Sequence, residues 1–150
     1  MTPTEQFIQE ATVTAETVVA WLGPDLVEQL WRRIPAKAPA LIAEASGTDD
    51  GMRAEAVQLI LFACHGHADP APTWWATPLG KVCAVSLGTD PDEVTYSVAA
   101  AMLGLAPGTV ASMMAPSRIG RMHCLERHPD GGIVRGSVMR EISRRAKGRA

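Results

Sequence analysis

Apolar residues in the first 34 positions recur with a helical period. Between positions 7 and 22 they lie three or four residues apart, and the pattern stops at Gly23-Pro24, which predicts a first helix of about five turns. A second apolar stripe covers positions 26–34 and ends at Pro35. Proline inside a helix removes a backbone donor and clashes with the preceding turn, so we expect the second helix to stop there.

The next segment predicts more short helices. A helix is expected at 39–45, and Asp49-Asp50 is suited to cap another that buries Val57, Ile60, Leu61 and Cys64. Residues 65–76 lose all periodicity and predict a linker or ordered loop. Trp74 and Trp75 are expected to be buried there, with a ligand or partner surface as the alternative. Thr77-Pro78 predicts the start of a helix that continues to Gly88.

The segment from Tyr96 to Ala115 has the residue types of a helix-turn-helix. Ala100 is small enough to let two helices approach, and Gly104 supplies a turn in which positive φ is favoured. Pro107 is suited to begin the second helix, whose inner face is predicted to contain Val110 and Met113. An ordinary helical hairpin is the alternative interpretation of this segment.

The residues that follow predict a β-hairpin and a last helix. Positions 122–125 alternate, 128–132 read His-Pro-Asp-Gly-Gly, and Ile133-Val134 are expected to return as the second strand. Ser137 is predicted to cap a final helix with Val138 and Ile142 on its inner side. Its outer side is predicted to be basic: Arg140, Arg144, Arg145 and Lys147.

Charge is distributed unevenly along the chain. The net charge is −2 over 150 residues, which by itself gives no reason to expect a nucleic-acid partner. Residues 1–115 carry 5 basic and 13 acidic side chains, however, whereas residues 116–150 carry 9 basic and 3 acidic side chains. Such asymmetry points to a nucleic-acid or membrane contact at the basic end.

The stretch from about 74 to 142 resembles winged helix-turn-helix proteins of the excisionase-like or MerR-like type, which are small bacterial or phage regulators. The similar positions are Ala100, Leu103, Gly104, Thr109 and Val110, then 127–132, then Ser137 and Val138. The resemblance covers about half the chain and implies that the second helix enters the major groove of double-stranded DNA. Nothing in residues 1–73 resembles a known family.

The resemblance and the basic side chains together give the predicted DNA-binding residues. The helix would present small residues with little capacity for direct base recognition: Pro107, Gly108, Thr109, Ala111 and Ser112. Specificity would then depend on the hairpin, DNA shape or a second copy of the domain. The hairpin and its approaches would contribute Arg118, Arg121, Arg127, His128 and Arg135, with Arg127 and Arg135 near one another on opposite strands.

Other kinds of site are not expected. Cys64, His65 and His67, with His123-Cys124, lack the paired spacing of a structural zinc site, so no metal and no cofactor is predicted. Three scattered cysteines do not form a disulfide framework. No Gly-rich phosphate loop, H-E-x-x-H or G-x-S-x-G motif occurs, and we expect no enzymatic activity.

The sequence therefore predicts a mainly α protein: an acidic helical domain at 1–73 and a winged helix-turn-helix domain with a two-stranded β-wing and a C-terminal helix at 74–150. The expected function is DNA binding as a transcriptional regulator or repressor. A homodimer is expected, and residues 1–73 are expected to self-associate or to bind a protein partner. A protein-interaction module and a recombination or packaging accessory factor remain alternatives. With no apolar run near the roughly 18 residues of a membrane span and no signal peptide, a cytoplasmic location is expected.

Overall fold

A computed structural model describes residues 1–114 and 125–148. The chain forms two compact units, Met1–Pro70 and Ala71–Ala150. The described residues are mainly helical and include one small antiparallel sheet of two strands, so the predicted fold class is confirmed at this level. Within them no single helix has the length and apolar composition to cross a membrane; one pair of helices passes that test jointly but is bent by 105°.

The first unit contains three helices that pack against one another. They are α1 (Pro3–Val19), α2 (Pro24–Ala45) and α3 (Asp50–His65). Thr2 caps α1 in a capping box with Glu5, and the Asp49 side chain accepts the N–H of Met52 at 2.9 Å, as predicted for the cap of α3. Each cap satisfies backbone donors that the first helical turn leaves without partners.

Helix α2 corrects the predicted stop at Pro35. It continues through Pro35 and Pro39 to Ala45, so the expected separate helix at 39–45 is the end of α2. Each proline removes the donor for the carbonyl group four residues earlier, at Trp31 and at Pro35. Trp31, Pro35 and Pro39 are all exposed. The solvent side of α2 therefore bears both missing hydrogen bonds, and water can occupy the free carbonyl groups.

Packing in the first unit leaves many apolar side chains exposed. The core contains Phe7, Ala11, Ala38, Ile42, Ala45, Ala56, Val57, Ile60 and Cys64, which includes most of the predicted α3 face. Helix α1 ends earlier than predicted, and Val18 and Leu22 are 60% and 51% exposed instead of buried. Trp21 is 79% exposed and Trp31 is 55% exposed. The apolar periodicity thus continues beyond the part of α1 and α2 that enters the core.

The second unit begins with a 3₁₀ turn at Pro72–Ala76, where a loop was predicted. Trp74 and Trp75 both lie in this turn and are buried, as expected, with their rings edge to face at 5.1 Å. Thr77 caps α4 (Pro78–Ala84), and a further 3₁₀ turn at Val85–Leu87 leads to Gly88. The predicted helix start at Thr77-Pro78 is confirmed.

Two short helices and a small sheet follow. Strand β1 (Glu93–Val94) precedes α5 (Tyr96–Leu103) and α6 (Pro107–Met114), and β2 (Ile133–Val134) leads directly into α7 (Arg135–Gly148). The buried side of α7 includes Val138, Met139 and Ile142, in agreement with the predicted inner face.

The pairing of β2 differs from the prediction. Its antiparallel partner is β1, with Glu93 opposite Val134 and Val94 opposite Ile133. On the other side, among residues 125–148, an isolated bridge joins Arg127 to Ile133, and Leu125 belongs to no strand. Positions 122–124 of the predicted first strand lie outside the described residues. Strand β1 was missed because two residues are too few for an alternating pattern.

Ser137 is buried inside α7 and is not its cap, because the helix begins at Arg135. The Ser137 hydroxyl donates to the carbonyl of Val134 at 2.7 Å and accepts the N–H of Glu126 at 3.0 Å. This side chain therefore joins the start of α7 to the hairpin.

Candidate nucleic-acid interface

The turn between α5 and α6 sets their relative direction. Gly104 ends α5 with φ 68° and ψ 34°, a left-handed conformation in which a Cβ is unfavourable. The N–H of Leu105 donates to the carbonyl of Ala100 at 2.9 Å, and α6 departs at 105° to α5. Ala100 is 2% exposed, as expected for a small residue between the helices. Helix-turn-helix units commonly have interhelical angles near 90–120°.

Helix α6 has a buried side and an open side. Val110 is fully buried and Met113 is half-buried. All five residues predicted to face DNA on this helix are exposed: Pro107, Gly108, Thr109, Ala111 and Ser112. The Ser112 hydroxyl donates to the carbonyl of Gly108 at 3.1 Å, whereas no hydrogen bond occupies the Thr109 hydroxyl among the described residues. The open side therefore offers few polar groups and almost no steric bulk.

The predicted turn of the hairpin is present at residues 128–132. His128 donates its N–H to the carbonyl of Gly132 at 2.8 Å, and Val134 donates to Glu126 at 2.9 Å. Arg127 precedes this turn, is exposed, and forms no ion pair with any residue in the described ranges. No carboxylate of the described residues therefore competes with an external anion for its guanidinium group.

Arg135 has a different environment from the one predicted. Its Nη1 lies 3.4 Å from Asp90 Oδ2, with both side chains mostly buried, and its guanidinium stacks over the Trp75 ring. It also lies at the first position of α7, whereas the residue opposite Arg127 is Ile133. The two arginines are thus not cross-strand neighbours, and the Arg135 contacts indicate a role within the fold.

The basic residues of α7 are mostly paired. Arg140 donates to Glu126 Oε1 at 2.6 Å and to the Gly88 carbonyl. Glu141 is buried and accepts hydrogen bonds of 2.6–2.8 Å from Arg144 and Arg145. These hydrogen bonds, chiefly that from Arg144, lower the pKa of Glu141 despite the opposing effect of burial. Much of the basic charge that the sequence displays is therefore compensated locally.

The remaining predicted residues divide into two groups. Arg118 and Arg121, like His123 and Cys124, lie outside the described residues. His128 is half-buried in the hairpin turn, with its Nδ1 3.6 Å from Asp130 Oδ2. The other residues for which no zinc site was expected lie in the first unit. Cys64 is buried there, and burial lowers the pKa of His65. The His67 ring packs against the Phe62 ring, with 5.4 Å between their centres.

Sequence patterns missed the acidic partners of these cations. Asp90 comes from the segment just before β1, Glu126 from the hairpin and Glu141 from α7. Only Glu141 carries a local signal, since Arg144 and Arg145 follow it by three and four residues. The other pairings join distant positions and arise from the tertiary fold.

Comparison of the chain with models of protein families finds no match, and comparisons with curated proteins and with solved structures find none either.

Proposed function

We propose that the second unit binds double-stranded DNA as a winged helix-turn-helix. The observation that carries the proposal is the pair α5 and α6, which meet at 105° around a left-handed glycine and leave one side of α6 fully open. That open side is free to enter a major groove. The element order supports the same interpretation, because a strand precedes the two helices and then pairs with the strand that follows the hairpin turn.

Phosphate contacts come from fewer cations than the sequence indicates. Arg135, Arg140, Arg144 and Arg145 have carboxylate partners inside the unit. Among the described residues, Arg127 is the exposed cation next to the hairpin turn without such a partner. Arg118 and Arg121 add charge in the segment between α6 and the hairpin. Binding depends on these three arginines and is correspondingly sensitive to salt.

The open side of α6 recognises DNA by shape more than by base edges. Thr109 and Ser112 are its only side chains with hydrogen-bonding groups, and neither can make a bidentate contact with guanine or adenine. Small side chains allow close approach of the helix to the groove. The protein is therefore expected to discriminate sequences weakly through one domain, and two domains acting together increase the discrimination.

Self-association through the first unit brings the DNA-binding domains of two chains together. Large exposed apolar residues occur at the end of α1, in the turn that follows it and in the first half of α2: Val18, Trp21, Leu22, Leu26 and Trp31. Exposed tryptophans are enriched at protein interfaces and costly to leave in water. A homodimer that covers these residues is the proposed assembly, and the proposed role is that of a transcriptional regulator.

Selection of bound duplexes from a random DNA pool, at two salt concentrations, tests this function. Enrichment of a motif supports a regulator. Binding that is sensitive to salt but enriches no motif supports a recombination or packaging accessory role. Absence of binding contradicts the DNA proposal and favours a protein-interaction module, for which the exposed apolar residues of the first unit are the supporting observation.

A further inference from the structure

Three side chains able to hold a metal ion meet between β1 and the hairpin turn. Glu93 lies on β1, and His128 and Asp130 lie in the turn. His128 Nδ1 is 4.0 Å from Glu93 Oε2 and 3.6 Å from Asp130 Oδ2. The three ligand atoms are all within 4.8 Å of one another. The fold thus collects potential ligands that are far apart in the sequence.

Glu93 is held in position by the backbone of the turn. Its Oε1 accepts the N–H of Gly132 at 2.7 Å, while Oε2 is the oxygen nearer to His128. A Cβ at position 132 would lie 2.4 Å from Glu93 Oε1 and 2.7 Å from the Val94 carbonyl oxygen, so glycine is needed for this approach. Hydrogen bonds of this kind orient carboxylate ligands in metal sites.

The cluster has an excess of electron-pair donors. Within residues 1–114 and 125–148, neither Glu93 nor Asp130 forms an ion pair with a lysine or arginine. His128 Nδ1 accepts the N–H of Asp130 at 3.1 Å, so its lone pair is directed toward the Asp130 backbone and is available to a metal once this hydrogen bond is exchanged. The His128 side chain is 18% exposed, whereas the Glu93 and Asp130 side chains are 39% and 75% exposed, so the carboxylate side of the cluster is open to an incoming ion. A cation among the three atoms would offset their mutual repulsion.

We propose that Glu93, His128 and Asp130 bind a Zn²⁺ ion. An imidazole nitrogen and two carboxylate oxygens are ordinary zinc ligands, and the exposed side leaves a fourth position for water. Bond lengths of about 2.0–2.2 Å place tetrahedral ligand atoms about 3.4 Å apart. The carboxylates therefore move inward by roughly half an ångström, and the Asp130 N–H exchanges its bond to Nδ1 for one to water.

Zinc at this place would fasten the hairpin turn to β1 and remove negative charge close to Arg127. If the proposed DNA-binding function holds, the ion raises DNA affinity, because two carboxylates near the hairpin otherwise repel phosphates. The metal site itself rests only on the geometry of the three side chains and stands without DNA.

Calorimetric titration of the full chain with Zn²⁺ alone, in the absence of DNA, tests the site. Glu93→Gln, His128→Gln and Asp130→Asn each replace a ligand with a side chain of similar size. Each is expected to weaken one equivalent of zinc binding at least tenfold. His67→Ala, in the other histidine-containing segment, is the matched control and should leave that equivalent unchanged. Circular dichroism of the metal-free variants establishes that they are folded.

Zinc binding that is absent in the wild type, or equally tight in the three folded variants, would overturn the proposal. If one variant does not fold without metal, the other two still test the site, because each removes a different ligand. Because no DNA is present, loss of the DNA-binding proposal would leave this result intact, and failure of the metal site would leave the helix-turn-helix proposal intact.

Discussion

The guanidinium carbon of Arg135 lies 5.5 Å from the centre of the Trp75 ring. The same group pairs with Asp90, and the backbone N–H of Arg135 donates to the carbonyl of Asp92 at 2.7 Å. One residue thus connects the start of α7 with the 3₁₀ turn and with the segment before β1.

Replacement of Arg135 by alanine should therefore reduce stability more than it changes the salt dependence of DNA binding. The stacking and the mostly buried ion pair together predict a loss of about 2 kcal/mol in the free energy of unfolding, measured with urea. Arg135→Lys retains charge without the planar group and should recover only part of this loss. A fully stable alanine variant would contradict the structural role.

Arg127 should behave in the opposite way. Arg127→Ala is expected to weaken binding to all duplex sequences and to lower the slope of log affinity against log salt by about 1, with little change in stability. Fluorescence anisotropy at several salt concentrations measures both quantities. Arg33→Ala is a suitable control, because Arg33 is also an exposed arginine but lies on α2. Equal slopes for the two variants would exclude Arg127 as a phosphate contact.

Two glycines of the α5–α6 pair should change stability in opposite directions when replaced by alanine. Gly104 has φ 68°, so Gly104→Ala should cost about 1 kcal/mol although only Ala76 Cβ, at 3.8 Å, lies near the added group. Gly108 is within α6 and a Cβ there meets open space, so Gly108→Ala should stabilise by about 0.5–1 kcal/mol. Thermal unfolding of both variants measures the difference. A change in stability of the same sign in both variants would argue against the left-handed turn at Gly104.

Glu141 should make part of the free energy of unfolding dependent on pH in the acid range. Its pKa in the folded protein is below the ordinary 4.5, chiefly through the hydrogen bond from Arg144. The resulting stabilisation is complete above the unfolded pKa and is lost as pH falls through the folded pKa. Glu141→Gln should therefore show a smaller decrease in urea stability between about pH 6 and about pH 3 than the wild type. Identical pH dependence would show that this carboxylate does not contribute.

Exposed apolar residues of the first unit predict a dimer. Light scattering should give twice the 16.0 kDa chain mass, and Trp21→Ala should shift the population toward monomer because it removes the most exposed tryptophan. Leu59→Ala is the control, since Leu59 is 54% exposed but lies on α3. A monomeric wild type at high concentration would refute self-association.

Local chemistry accounts for the features that the sequence predicted well. Asp49 and Thr77 are side-chain caps, and Gly104 has a turn conformation that favours glycine, so each is determined mainly by its neighbours in the chain. The tolerance of α2 for Pro35 and Pro39 depends instead on which side faces solvent. That orientation is set by packing among three helices and is not encoded in the prolines themselves.

In the candidate site, too, local features were predicted from the sequence and long-range contacts were not. Exposure of Thr109 and Ser112 follows from the helical period once Val110 is buried, and the turn at 128–132 follows from its residue types. The ion pair of Arg135 with Asp90 and the approach of Glu93 to His128 join residues from distant parts of the sequence. The periodicity of a sequence does not report such contacts. The sequence therefore predicted more unpaired arginines than the described part of the structure contains.

Gly131 and Gly132 are adjacent, yet different requirements select them. Gly131 has φ 104° with nothing near its missing Cβ, so the obstacle to other residues is the handedness of L-amino acids. A D-alanine introduced there by chemical synthesis should be accepted. At Gly132 the obstacle is occupied space, and because one of the obstructing atoms is the Val94 carbonyl oxygen, no shortening of the Glu93 side chain would compensate. Chirality therefore constrains one position of the turn and volume constrains the next.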